Sequence, residues 1–264
     1  MNNQLFKSIA KKLTATFVVL ASVAIFAFAQ VAAQSGASEN NFDRAKKLAA
    51  EGNLKDAAAA YKQAIDGAGG RYPEAHNNLG MVYGLMGDSD QAVREFMTAI
   101  EQRGGEYAEA HYNLGIALSL ADDHEGAERE FKVAIRQKPG EFAEAHGNLG
   151  ILYARKGDNS RAINEFQIAI EQAEGDYAEA HYNLGIALFG TGKIEAATAE
   201  FKDAIEQNDS FPEAHYNLAV SLARLGKNED AAREFETYLK TAANPRDGEE
   251  IRTRIVELRK ASLK

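Results

Sequence analysis

Six histidines, no cysteine and a row of asparagines define the chemistry open to this chain. Five of the histidines, His76, His111, His146, His181 and His215, recur at spacings of 35, 35, 35 and 34 residues. Two positions after each stands an asparagine: Asn78, Asn113, Asn148, Asn183 and Asn217. A shared metal or a proton relay would require the imidazoles to converge. Equivalent side chains on stacked helices lie about 10 Å apart, whereas zinc ligands must all reach within about 2.3 Å of one ion. The periodic histidines are therefore read as packed side chains, and no metal is expected. His124-Glu125 lacks the second histidine of a metalloprotease motif. Gly67-Ala68-Gly69-Gly70 resembles a phosphate cradle, but no Lys-Ser or Lys-Thr follows it. With no G-x-S-x-G and no thiol, the chain offers no nucleophile constellation. The reading is of a protein that is not an enzyme and takes no cofactor.

The periodicity also dictates the elements that carry these residues. Each unit opens with a segment such as Pro73-Glu74-Ala75-His76-Asn77-Asn78-Leu79-Gly80. A second pattern follows, Ala92, Phe96, Ala99 and Ile100, whose i, i+4, i+7, i+8 spacing places all four on one helical face. Ala127/Phe131/Ala134/Ile135, Ala162/Phe166/Ala169/Ile170 and Ala197/Phe201/Ala204/Ile205 repeat it. Gly87-Asp88, Asp122-Asp123, Gly157-Asp158, Gly192-Lys193 and Gly226-Lys227 lie between the two patterns, where a helix terminates. Small residues at Gly80, Gly115, Gly150 and Gly185 predict close helix approach. A lone hairpin buries too little apolar surface to offset about 1–2 kcal/mol of ordering entropy per residue, so neighbours must stack.

These units resemble tetratricopeptide repeats, whose pattern is Trp-x2-Leu-Gly-x2-Tyr, then Ala-x3-Phe, then Pro. His76-x2-Leu79-Gly80-x2-Tyr83 and Ala92-x3-Phe96 match in register. The departures are histidine for tryptophan, leucine at Leu118, Leu188 and Leu222 for tyrosine, and proline kept only at Pro139. The resemblance implies an all-α fold, a right-handed superhelical solenoid of six helix-turn-helix repeats: 38–72, 73–107, 108–142, 143–177, 178–211 and 212–245. Residues 246–264 follow, where Ile251, Ile255 and Leu258 form one stripe, as in a capping helix.

In such an array the first helices line a concave wall. The stripe facing it carries Glu74, Glu109, Glu144, Glu179 and Glu213, then the asparagine row, then Met81, Ile116, Ile151, Ile186 and Val220, flanked by Tyr112, Tyr182 and Tyr216. An amide offers both donor and acceptor, so a row of them can pair with successive peptide groups of an extended chain. The arrangement is similar to the asparagine ladder in the repeat domain of O-linked N-acetylglucosamine transferases, here without a catalytic domain. Asparagine is also at home in this position as a local hydrogen-bonding residue. Lys46, Arg155 and Arg224 do not converge, so the carboxylate clamp known from some tetratricopeptide domains is not expected.

The formal charge of −9 disfavours nucleic acid as a partner. Residues 1–33 contain Lys7, Lys11 and Lys12, no acidic residue, and the apolar run 17–29 ending in small side chains. This reads as a signal peptide, followed by a flexible spacer at 34–37. The alternative is an uncleaved anchor over 13–33, the chain's only contact with a membrane. The resulting expectation is a periplasmic or secreted scaffold that binds extended segments of other proteins in its groove. A structural or membrane-tethered, self-associating array is the alternative.

Overall fold

The computed structural model describes residues 41–243 and 247–263. The expectations for 1–33 and 34–37, and the end of the last repeat at Pro245, lie outside the described residues. Those residues form thirteen α-helices and no strand, in two compact units divided after Lys138.

The first unit contains three hairpins: α1 (Asn41–Ala50) with α2 (Leu54–Gly67), α3 (Pro73–Leu85) with α4 (Ser89–Gln102), and α5 (Ala108–Leu120) with α6 (His124–Gln137). The second contains α7 (Ala143–Arg155) with α8 (Asn159–Gln172), α9 (Ala178–Gly190) with α10 (Ile194–Gln207), and α11 (Pro212–Arg224) with α12 (Asn228–Thr241), closed by α13 (Gly248–Ser262). Within each unit, helices pack on their partner in the hairpin and on the first helix of the next.

The hairpin interior follows from the alternation of small and aromatic residues. A Cβ placed on Gly80, Gly115, Gly150 or Gly185 would stand 2.6–2.7 Å from the ring of Phe96, Phe131, Phe166 or Phe201. Glycine in the first helix therefore makes the slot that the phenylalanine of the second helix fills. Those four rings are buried, as are the alanines one turn before them, Ala92, Ala127, Ala162 and Ala197. In the last hairpin Ala219 takes the glycine's place and is buried with Phe235, so this hairpin holds the added methyl group.

Chain reversal is local. At the end of α3, Gly87 adopts φ +79°, and the Asp88 N–H reaches back to the Tyr83 carbonyl at 2.9 Å, a Schellman closure. The third hairpin makes the same turn with Asp122 at φ +62°, a conformation that strains an L side chain. The next helices start on aspartates: Asp88, Asp123 and Asp158 accept from the backbone N–H of Gln91, Gly126 and Arg161. Lys193 and Lys227 occupy that position in the last two hairpins and make no such bond.

At the carboxyl end, Ile251 and Ile255 of α13 are buried with Ala232 and Phe235, and Tyr216, Val220, Tyr238, Leu239 and Leu258 pack around them. The cap thus covers the apolar face that the last hairpin presents.

Candidate functional site

Each periodic histidine is held by its own hairpin. Nδ1 of His76, His111, His146, His181 and His215 lies 2.6–2.7 Å from Glu95, Glu130, Glu165, Glu200 and Glu234, nineteen residues on in the second helix. Nε2 of His76, His111 and His181 faces the carbonyl oxygen of Gly70, Gly105 and Gly175 at 3.1–3.3 Å. His215 reaches Asp209 in the same way. Gln102, Gln137 and Gln207 donate to the same three glycine carbonyls at 2.6–2.8 Å. The segment between hairpins is thus tied to both helices of the hairpin that follows it.

A carbonyl and a carboxylate both accept, so at His76, His111 and His181 the arrangement favours the imidazole that donates from both nitrogens and carries a positive charge. The geometry agrees with the direction of the proton affinities. At His76 and His181 the glutamate hydrogen bond raises the pKa above the ordinary histidine value against the opposing effect of burial. At His111 burial opposes the charge most strongly, yet the Glu130 bond, the Gly105 carbonyl and the Glu130 charge together outweigh it. The glutamates escaped the sequence reading because each sits among other carboxylates on a charged helix face. Their constant offset from the histidines was the available signal.

The groove residues of the first unit are Asn78, Asn113, Tyr112 and Ile116, with Met81. Asn78 is buried and borders the same recess as Tyr61. Asn113 is half-buried and donates at 3.0 Å to Asn77, which in turn faces Asn78. Three amides of two hairpins therefore form one chain of contacts. Ile116 and Met81 are half-buried, and Tyr112 packs against Phe131 with ring centres 5.9 Å apart. A recess of about 40 Å³ opens beside Met81 and Asn78, with Lys46, Ala49 and Leu85 on its walls.

The second unit places Asn148, Asn183, Asn217, Tyr182, Tyr216, Ile151 and Ile186 less uniformly. Asn148 is only 4% exposed. Asn217 donates at 3.0 Å to the Tyr182 hydroxyl, and Tyr182 is wedged between Phe201 and Phe211. Burial raises the Tyr182 pKa, with Glu213 adding to it. Tyr216 sits on Phe235 and Tyr238 beneath the capping helix. Asn183 is half-buried and makes no side-chain hydrogen bond among the described residues; Ile186 on the same helix and Ile151 on α7 are half-buried. The structure thus brings Asn78 and Asn113 together through Asn77, and Asn217 to Tyr182, while Asn183 retains an uncommitted amide.

The charged groups of the same helices are engaged within the chain. Glu74 pairs with Arg103 and Glu109 with Lys138. Lys46 meets Asp43 at 2.7 Å and the face of Phe42, and Arg224 lies over Phe189. Burial together with the charges of Glu74 and Glu109 pushes the Tyr107 pKa up to about 12. The fifth hairpin adds one more ligand-type side chain, Asp203, close to His181 and Glu200.

Stacked helical hairpins, four of the six with a glycine–phenylalanine contact, and a polar row along the first helices define a repeat protein built for protein contact. Two tetratricopeptide repeat models match, one at residues 71–139 and the other at 148–210 and 185–247, together more than half of the chain. The chain belongs to the tetratricopeptide repeat family. It is similar to the crystal structure of MamA, with 26% identity over 62% of this chain and 94% of that one, at a TM-score of 0.56. YrrB, a TPR protein with an unusual peptide-binding site, shares the fold at 20% identity over 77% of this chain and 99% of that one, with a TM-score of 0.59. So does pilF from Pseudomonas aeruginosa, at 18% identity over 72% and 85%, with a TM-score of 0.64. Comparison with curated proteins returns no match.

Proposed function

We propose that this protein is a non-catalytic scaffold of the cell envelope that holds extended segments of other proteins along the first helices of its hairpins. The observation carrying the reading is the Asn183 amide, which has no partner among the described residues and belongs to the same helix as the half-exposed Ile186. An uncommitted amide beside an aliphatic side chain suits a passing peptide bond and a small apolar side chain. Asn113 and Ile116 repeat the pair in the first unit, where the Asn113 amide spends one N–H on Asn77 and keeps its oxygen. Each hydrogen bond contributes about 1 kcal/mol, so binding is weak, tolerant of sequence, and sharpened by the isoleucines. The peptide-binding description of YrrB supports the same reading. Envelope location rests on Lys7, Lys11, Lys12 and the apolar run 17–29. Among the described residues no helix is long and apolar enough to cross a membrane.

The test is selection of unstructured peptides on the purified chain, followed by titration of the best binder against Asn183→Ala and Ile186→Asp. Both variants should weaken the peptide while leaving the helical circular dichroism unchanged. Equal affinity for wild type and both variants would remove the groove from the account.

A further inference from the structure

The fifth hairpin differs from its neighbours at one chemically telling position. Asp203 lies three residues after Glu200, where the other hairpins carry Thr98, Val133, Ile168 and Thr237. Ligand atoms of His181, Glu200 and Asp203 all lie within 4.8 Å of one another. His181 is 9% exposed, Glu200 is half-buried and Asp203 is exposed, so the cluster is rooted in the hairpin and open to solvent on one side.

We propose that His181 Nδ1, Glu200 and Asp203 form a binding site for a divalent transition-metal ion of the Zn2+ class. The imidazole is oriented as a metal-binding histidine usually is, because its Nε2–H points at the Gly175 carbonyl at 3.2 Å. Such an outer contact fixes the ring orientation, so an ion that displaces the Nδ1 proton shared with Glu200 meets the Nδ1 lone pair already aimed at it. Nδ1 and the Glu200 oxygen stand 2.7 Å apart. Two acceptors that close require a positive centre between them, either a proton or a metal. In the other hairpins a proton can serve, since one carboxylate and one imidazole are all that meet there. The fifth adds Asp203, whose charge also favours the proton on His181 and which gives an ion that displaces that proton a third donor atom.

Bond lengths of about 2.0–2.1 Å place tetrahedral N and O ligands about 3.3 Å apart. The site therefore needs a small outward movement of the half-buried Glu200 and the exposed Asp203, with His181 staying in place. Three protein ligands leave the fourth position to water. One imidazole with two carboxylates selects Zn2+, Ni2+ or Cu2+ over Mg2+, which prefers an all-oxygen octahedron. The site uses helix faces inside one hairpin and is independent of the peptide groove.

The experiment is calorimetric titration of the purified full chain with ZnCl2, and with MgCl2 in parallel. Wild type should bind one Zn2+ and show no Mg2+ heat at the same concentration. Asp203→Thr, which installs the residue already found at positions 98 and 237, should keep the fold and weaken Zn2+ by on the order of tenfold or more. Thr98→Asp should create a second site of the same kind beside His76 and Glu95. Zn2+ binding that is absent, or unchanged in Asp203→Thr, overturns the proposal. Binding equally lost in a Glu171→Gln control would also overturn it, since that carboxylate lies outside the cluster.

Discussion

Two regions of each hairpin, its interior and the outward row of its first helix, obey different rules. The interior repeats its contacts from hairpin to hairpin: a Cβ placed on Gly80, Gly150 or Gly185 would meet the ring of Phe96, Phe166 or Phe201 at distances that differ by only 0.1 Å. The histidine–glutamate pair is equally constant at 2.6–2.7 Å. Along the row, by contrast, identical asparagines do different things. Asn78 accepts from its neighbour Asn77, Asn113 donates to Asn77, Asn217 donates to Tyr182, and Asn183 bonds none of the described side chains. The interior is where the fold is made. A row whose geometry changes while its residue type persists is where binding is to be sought.

The largest expected effect lies in the interior. Phe166→Ala leaves a cavity facing Gly150 and should cost about 3–5 kcal/mol of unfolding free energy in chemical denaturation, with the loss concentrated in the second unit. Gly150→Ala tests the same contact from the other side. Its Cβ would lie 2.6 Å from the Phe166 ring, so overpacking by about 1–3 kcal/mol is expected. The buried pair Ala219 and Phe235 shows that such a hairpin can be accommodated when its surroundings are built for it, and Ala219→Gly should therefore not bring a gain in stability.

The polar part of the interior should respond to pH. The pKa values of His76 and His111 are raised on folding, so their stabilisation is complete below the unfolded value of about 6.5 and is lost as pH rises through the higher folded values. The groups facing them are Glu95 and the Gly70 carbonyl for His76, and Glu130, the Gly105 carbonyl and the opposing Arg136 for His111. Denaturation midpoints should fall as pH rises above about 6.5, and His76→Gln with His111→Gln should flatten that slope. A slope unchanged by the double substitution would place the pH response elsewhere.

Smaller effects belong to the row and the turns. Asn113→Ala strips the Asn77 oxygen of its donor and should cost about 1 kcal/mol, whereas Asn183→Ala, with no internal bond to lose, should leave stability unchanged. Asp122→Gly relieves the left-handed residue at φ +62° and should stabilise the first unit by up to about 1 kcal/mol.

Much of the interior was legible in the sequence. Ala-x3-Phe at a 35-residue period specifies a buried helix face, and a glycine at a fixed place in the preceding helix signals the close approach it makes to the phenylalanine. The asparagine contacts were not legible, because they depend on the residue before each asparagine: Asn77 in one hairpin, Tyr112, Tyr182 and Tyr216 in others, and Gly147 in the fourth. Asn77 accepts a hydrogen bond from the amide of the next hairpin, Asn113, and the hydroxyl of Tyr182 lies where Asn217 can reach it. Nor was the role of Tyr216 visible, since its burial comes from α13, an element outside the repeat. The tie between histidine and glutamate crosses a turn, where helical periodicity carries no information.

The central claim, that the row binds the backbone of an extended partner, is tested most directly by titrating a selected peptide and its N-methylated counterpart against the purified chain. N-methylation removes the peptide's N–H donors and leaves its side chains in place. Backbone-directed binding predicts an affinity loss of roughly fivefold to thirtyfold from losing one or two hydrogen bonds of about 1 kcal/mol each, with a smaller loss against Asn183→Ala. Equal affinities for the two peptides would contradict the account.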